Sequence, residues 1–172
     1  MSRIELVTRI AAPPERCFDL ARSLELHMRS TSSTGERAVA GTVRGLLGPG
    51  QHVTWRARHF FVWQELTSRI TGYERPRWFR DEQVRGIFAR LEHDHFFEAA
   101  PGGATTMRDV FDYRAPLGPL GRIAERTILD PYLRRFLLAR NAEIKAIAES
   151  RDWERYIPRV LSSQKRREAA GR

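Results

Sequence analysis

His93 and His95 stand two residues apart in the run Glu92-His93-Asp94-His95-Phe96-Phe97-Glu98. On a strand alternate side chains share a face, so both imidazoles point to one side. Two imidazoles and a carboxylate suit either of two chemistries: holding a divalent metal, or moving a proton through a His that a carboxylate orients. The metal reading lacks ligands. Glu98 follows His95 after only two residues and no His lies beyond it, so Asp109 or another distant carboxylate would have to complete the set. We therefore expect neither a metal nor any other cofactor. For proton transfer the candidates are His93, His95 and Asp109. Buried polar groups are usually hydrogen-bonded partners, so the simpler expectation is that Asp109 holds a His or Arg in place and nothing reacts. Gly45 to Gly50 is no phosphate loop, because no Gly-Lys-Ser/Thr follows it, and Ser32 and Ser33 lack the setting of a nucleophile. Cys17, beside Phe18 on an apolar helix face, reads as packed.

These residues need elements to position them. Arg3 to Ile10 alternates like a strand and is stopped by Ala11-Ala12-Pro13-Pro14. Proline suits a first helical turn, which predicts a short helix over 14–21. A second is expected over 23–28, capped by Ser23, followed by a Ser/Thr loop at 30–34. The middle reads as strands. A short one covers 36–40, and Val53, Trp55, Ala57, His59 and Phe61 share one face of the next. Others run from Leu66 to Ile70, from Arg77 to Arg85, from Phe88 to Glu98 and from Thr105 to Arg114, with a hairpin turn at Pro101-Gly102-Gly103. After Pro116-Leu117-Gly118-Pro119, apolar residues recur at helical spacing from Leu120 to Ile147. Pro131 should kink that helix or split it after Leu129. Trp153, Tyr156 and Ile157 are expected to pack back on the body, with fraying beyond Val160. The order predicts an α+β fold: a curved antiparallel sheet of about six to seven strands, two short helices after the first strand, and a long C-terminal helix over the sheet. A cleft left between helix and sheet is a usual small-molecule site.

The register then selects the lining. With Leu91, His93, His95 and Phe97 inward, Phe79, Asp81, Gln83 and Arg85 form one matching set and Met107, Asp109, Phe111 and Tyr113 another. A one-residue slip would instead turn Trp78, Glu82, Asp94 and Asp112 inward. The expected ligand-binding lining is Trp55, His59, Phe79, Asp81, Gln83, His93, His95, Met107, Asp109, Phe111 and Tyr113.

Composition narrows the class. The 172 residues are 41% hydrophobic, enough for one domain that buries roughly 70% of its unfolded surface without a staple. The single cysteine leaves no internal disulfide and points to a reducing cytoplasm. No apolar run exceeds four residues, and the polar start Met1-Ser2-Arg3 speaks against a secretory signal, so no transmembrane segment is expected. The net charge is +9, and all but two of the 30 basic residues are Arg. Residues 151–172 are expected to form a basic, partly disordered tail after a domain over 1–150. Such a tail suits a solvated end or peripheral contact with an anionic surface. No signature of specific nucleic-acid recognition accompanies it. The aromatics Phe60, Phe61 and Trp63 are expected in the core or in a homodimer contact.

Several segments resemble the START/Bet v 1-like superfamily, also called SRPBCC, and within it the bacterial polyketide cyclase/dehydrase-like ligand-binding proteins. The resemblance is carried by Ala12-Pro13-Pro14-Glu15-Arg16-Cys17-Phe18-Asp19, Gly50-Gln51-His52-Val53-Thr54-Trp55, Asp81-Glu82-Gln83-Val84-Arg85-Gly86 with Phe88, Glu92 to Glu98, and Asp109-Val110-Phe111-Asp112-Tyr113 running into Pro116-Leu117-Gly118. It covers about residues 1 to 150 and implies a helix-grip fold. Fold does not decide function in such a superfamily, which includes lipid carriers, hormone receptors and aromatic cyclases. The first expectation is binding of a small hydrophobic or amphipathic ligand in a central cavity, for carriage, sensing or sequestration. The alternatives are a cyclase or dehydratase using a His/Asp acid–base pair, and a partner-binding protein with a basic tail.

Overall fold

The computed structural model describes residues 1–157; the rest of the basic tail, and the fraying expected beyond Val160, lie outside the described residues. Seven strands form one antiparallel sheet: β1 (Ser2–Ile10), β2 (Arg37–Gly41), β3 (His52–His59), β4 (Val62–Glu74), β5 (Trp78–Arg85), β6 (Arg90–Ala100) and β7 (Ala104–Arg114). Their order is β1-β7-β6-β5-β4-β3-β2, a meander from β2 to β7 with β1 added at the far edge beside β7. Between β1 and β2 lie α1 (Pro14–Ala21), α2 (Leu24–Ser30) and a 3₁₀ turn at Ser32–Thr34. Pro14 opens α1, where a missing N–H leaves nothing unpaired, and the Ser23 side chain accepts from Leu26 N to cap α2.

After β7 the chain forms α3 (Gly118–Ala124), a π-helical turn at Glu125–Leu129, and the long helix α4 (Asp130–Glu149). The division expected near Leu129 is present: Pro131 sits in the first turn of α4, and the wider π turn before it absorbs the register change. The apolar stripe expected from Leu120 onward is buried only further along. Leu137, Ile144 and Ile147 are buried, whereas Leu120, Ile123 and Ile128 are exposed, because only the later turns of α4 are inserted against α1, α2 and the sheet.

α4 lies along the inner sheet face, contacting β1, α1 and α2. One core cluster joins α1, α2 and the second half of α4 to the sheet, with Phe18 edge-on to Tyr73, Phe79 and Phe97 at 5.3–5.4 Å. Burial of about ten such side chains supplies the bulk of the hydrophobic stabilisation, at roughly 1.5–3 kcal/mol each. A smaller cluster holds Ile4, Leu6, Leu91, Phe111, Tyr113 and Leu137. Cys17 is fully buried in the first cluster and burial raises its thiol pKa, so it packs as expected. Ile157 is buried and Trp153 and Tyr156 pack on the same cluster, with the Arg16 guanidinium 4.4 Å over the Trp153 ring. Buried Asp19 receives Arg22 at 2.8 Å and Arg75 at 2.6 Å, and Arg22 Nη1 reaches Leu47 O. The Gly45–Gly50 connection is thereby tied to α1 rather than free.

One strand boundary differs from expectation. β3 ends at His59, and Phe60 and Phe61 form the two-residue turn into β4, at φ 50° and 66°. Both are in the left-handed region, as a tight hairpin requires, although this turn favours Asn-Gly. Phe61 is 87% exposed and Trp63 55%, so this aromatic run is not in the core of the described protein.

Candidate functional site

The sheet register brings the candidates together. β6 pairs with β5 as Phe79↔His95 and Asp81↔His93, and with β7 as His93↔Phe111 and His95↔Asp109. The alternate set faces outward: Asp94 accepts from Trp78 Nε1 at 2.8 Å and Arg80 Nη2 at 2.7 Å, and Asp112 pairs with Arg3. A one-residue slip would turn Asp94 and Asp112 away from the Arg side chains that pair them and onto the apolar inner face, which is why the inner register is held.

Between this inner face and α4 lies a cavity of about 350 Å³. Trp55, His59, Phe79, Asp81, His93, His95 and Phe111 line it. The other four expected residues share the inner face but do not reach the cavity. Gln83 is spent on the β5–β6 connection, where Nε2 donates to Phe88 O at 2.7 Å. Met107 is fully buried in the core beside Phe97. Tyr113 Oη donates to Asp130 Oδ1 at 2.7 Å and so anchors the start of α4. Asp109 stands behind the histidines. In each case the face agrees with the strand alternation, while the position along the strand sets the distance from the cavity.

The floor of the cavity is a hydrogen-bonded polar cluster. His95 Nδ1 donates to Asp109 Oδ1 at 2.7 Å and its Nε2 donates to Asp81 Oδ1 at 3.1 Å. Its ring is stacked on Phe79 at 4.2 Å. His93 Nε2 donates to the same Asp109 oxygen at 3.1 Å, and Asn141 Nδ2 from α4 donates to Asp109 Oδ2 at 2.7 Å. Burial alone would raise the Asp109 carboxyl, but the imidazole hydrogen bonds outweigh it and hold the group well below the carboxylate range. For His95, burial favours the neutral ring, yet bonds to two carboxylates raise its pKa. Burial and the neighbouring His95 push His93 down to about 4, so its ring is neutral at pH 7. Arg140 on α4 completes the floor: Nη2 donates to Ala21 O at 3.1 Å, and Nη1 lies 3.8 Å from Asp109 Oδ1.

The cavity wall toward the mouth is built differently. His27 stacks on Trp55 at 4.2 Å, with its Nε2 3.3 Å from Oε2 of buried Glu36 but without hydrogen-bond alignment. Against its burial, His27 and then His59 keep the Glu36 carboxyl below its ordinary value. His59 Nδ1 and Tyr132 Oη are 2.6 Å apart, and burial lowers the His59 pKa. Phe60 closes over Tyr132 at 4.7 Å. His27, Glu36, Tyr132 and Arg140 were missed by sequence reasoning. A signal existed for Arg140 and Asn141: they interrupt the inward stripe Leu137, Ile144, Ile147 at positions three and four after Leu137.

The arrangement constrains its chemistry. Both ring nitrogens of His95 are committed to carboxylates, so neither faces a reactant. Asp81, His93 and His95 each offer a ligand atom, all within 4.8 Å of one another, so Asp81 and not Asp109 supplies the third ligand of that group. Metal binding there would require the His95–Asp81 hydrogen bond to open beside the Arg140 charge. As it stands the cluster orders the polar end of a mainly apolar cavity.

No family model matches the chain, and no curated protein matches it. Solved structures do. An aromatase/cyclase from Streptomyces sp. R1128 superposes with a TM-score of 0.68 at 16% identity, over 86% of this chain and 93% of that one. The protein TTHA0849 from Thermus thermophilus gives 0.66 at 18% identity, over 86% and 99%. A START superfamily protein from Mycobacterium smegmatis gives 0.64 at 10% identity, over 84% and 98%. With an open seven-stranded antiparallel sheet gripping a long C-terminal helix, the chain has the SRPBCC/START-like helix-grip fold.

Proposed function

We propose that this protein binds a small apolar or amphipathic ligand in the cavity between sheet and α4, in a carrier, sensor or sequestering role. The observation that supports it is the cavity itself: about 350 Å³ and walled mainly by apolar side chains, with a hydrogen-bonded polar cluster at its floor. That is the usual make-up of a small-molecule site. Residues 1–150 form the binding domain in this reading, in a cytoplasmic setting that suits a single buried thiol. The cyclase/dehydratase alternative is weaker, because the best-oriented imidazole, His95, has no nitrogen free for a substrate. Among the described residues no helix is long and apolar enough to cross a membrane.

The test is titration of the full chain with the neutral fluorophore 1-aminoanthracene, alongside Ala57→Phe. Ala57 lines the cavity and is buried, so the larger side chain fills space the probe needs. One equivalent should bind the wild type, and the variant should bind at least about tenfold more weakly, as expected when an anchor pocket is filled. No binding to the wild type, or unchanged binding to the variant, overturns the proposal.

A further inference from the structure

The acidic groups at the cavity floor are already engaged. Asp109 Oδ1 takes hydrogens from His93 and His95, its Oδ2 takes one from Asn141, and Asp81 Oδ1 takes one from His95. Arg140 is the exception among the floor groups that line the cavity. It is 5% exposed, and its Nη1 has no hydrogen-bond partner. The nearest carboxylate oxygen to Nη1, on Asp109, is 3.8 Å away and already shared by two imidazoles. Arg22, the other buried arginine on the cavity wall, also has an unpaired Nε, but its charge is met by Asp19, 2.8 Å from its Nη2. A guanidinium keeps its charge at any working pH, and a buried donor without an acceptor is costly, by about 1–3 kcal/mol and more for a charged group.

We infer that the ligand of this cavity is an amphipathic anion, its carboxylate or equivalent oxyanion received by the Arg140 guanidinium as the side chain turns its buried Nη1 toward the cavity, and its apolar body extending toward Trp55 and Phe136. This rests on the cavity-binding reading above and names the chemical class of the ligand. A charged acceptor is favoured over a neutral carbonyl because it adds ion-pair attraction to the charge-assisted hydrogen bond that the guanidinium makes with either, the more so away from water. His95 donates a hydrogen bond to each of the two carboxylates, which lessens their repulsion of an incoming anion. The apolar lining, including Leu133 and Phe136, suits a flat or short-chain hydrocarbon body.

The experiment compares 2-naphthoate with 2-naphthamide, which has the same shape and no charge, by calorimetry on the full chain. Binding of 1-aminoanthracene is measured in parallel. In the wild type naphthoate should bind at least about tenfold more tightly than the amide, the size of one charge-assisted hydrogen bond. Arg140→Met should abolish that preference, and Arg140→Lys should retain part of it. The wild-type comparison needs no variant to fold. If 1-aminoanthracene binds but naphthoate does not bind or shows no preference, or if the preference survives in Arg140→Met, the anion inference falls and the cavity reading stands. Failure of all three compounds to bind overturns the cavity reading and this inference with it.

Discussion

At the floor of the cavity, Asp109 accepts hydrogen bonds from three side chains within 3.1 Å, whereas at the mouth His59 and Tyr132 share one bond and Phe61 stands almost wholly in solvent. The floor is drawn from β5, β6, β7 and α4, with side chains of β6 and α4 converging on the Asp109 carboxylate of β7. The mouth rests on α2, the segment before β2, the β3–β4 hairpin and the first turn of α4. Burial explains the contrast. A polar group cut off from water needs partners, and the fold supplies them, while a group at the rim is solvated without help. The floor therefore ties helix to sheet. The hairpin tip bears an unfavourable backbone conformation at two phenylalanines whose side chains contribute little to the core.

The largest expected effect breaks the floor. Asp109→Ala leaves His93, His95 and Asn141 without their common partner, and removing one member of a buried charged network costs about 3–5 kcal/mol. Urea unfolding followed by circular dichroism measures it; a loss below about 1 kcal/mol would mean the cluster does not hold the helix to the sheet.

Next in size is a pH effect within the same cluster. The folded His93 pKa is lowered to about 4 by burial, below the unfolded value. As the pH falls from about 6.5 the unfolded chain gains a proton that the folded site refuses, so stability drops by on the order of 2–3 kcal/mol between pH 7 and 4.5. His95 acts with the opposite sign: its folded pKa is raised, so its contribution is full below the unfolded value and fades as the pH rises through the folded one. Comparing His93→Leu with the wild type separates the two. The variant should lose less stability on acidification, and an equal loss would remove His93 as the cause.

The smallest effect sharpens the mouth side. Replacing Phe60-Phe61 by Asn-Gly puts residues that favour positive φ at both turn positions and should raise stability by about 1–2 kcal/mol. A thermal melt that stays level or falls would show that the two phenylalanines stabilise the fold in a way their exposure conceals.

Much of the floor was legible before the structure. Alternation along three strands placed His93, His95, Asp81 and Asp109 on one side, and Phe79, Phe97 and Phe111 marked that side as the inner one. Depth was not legible. Gln83, Met107 and Tyr113 obey the same alternation, yet one holds a turn, one fills the core and one anchors α4. The Phe60-Phe61 turn carried no Gly or Asn to announce it, so the run read as strand. Leu120, Ile123 and Ile128 kept helical spacing but stand on turns with nothing packed over them.

Sequence alone determined the order of elements, the inner face of each strand and the absence of cysteine cross-links, because a period of two residues and the chemistry of proline and glycine are local properties. Tertiary structure decided how far along each strand the cavity reaches, that Asp81 as well as Asp109 flanks His95, and that α4 turns Arg140 and Asn141 toward β7. Those facts depend on how a helix about thirty residues further on is rotated and seated against the sheet. That seating is set by the packing of Leu137, Ile144 and Ile147 among side chains from distant strands and helices.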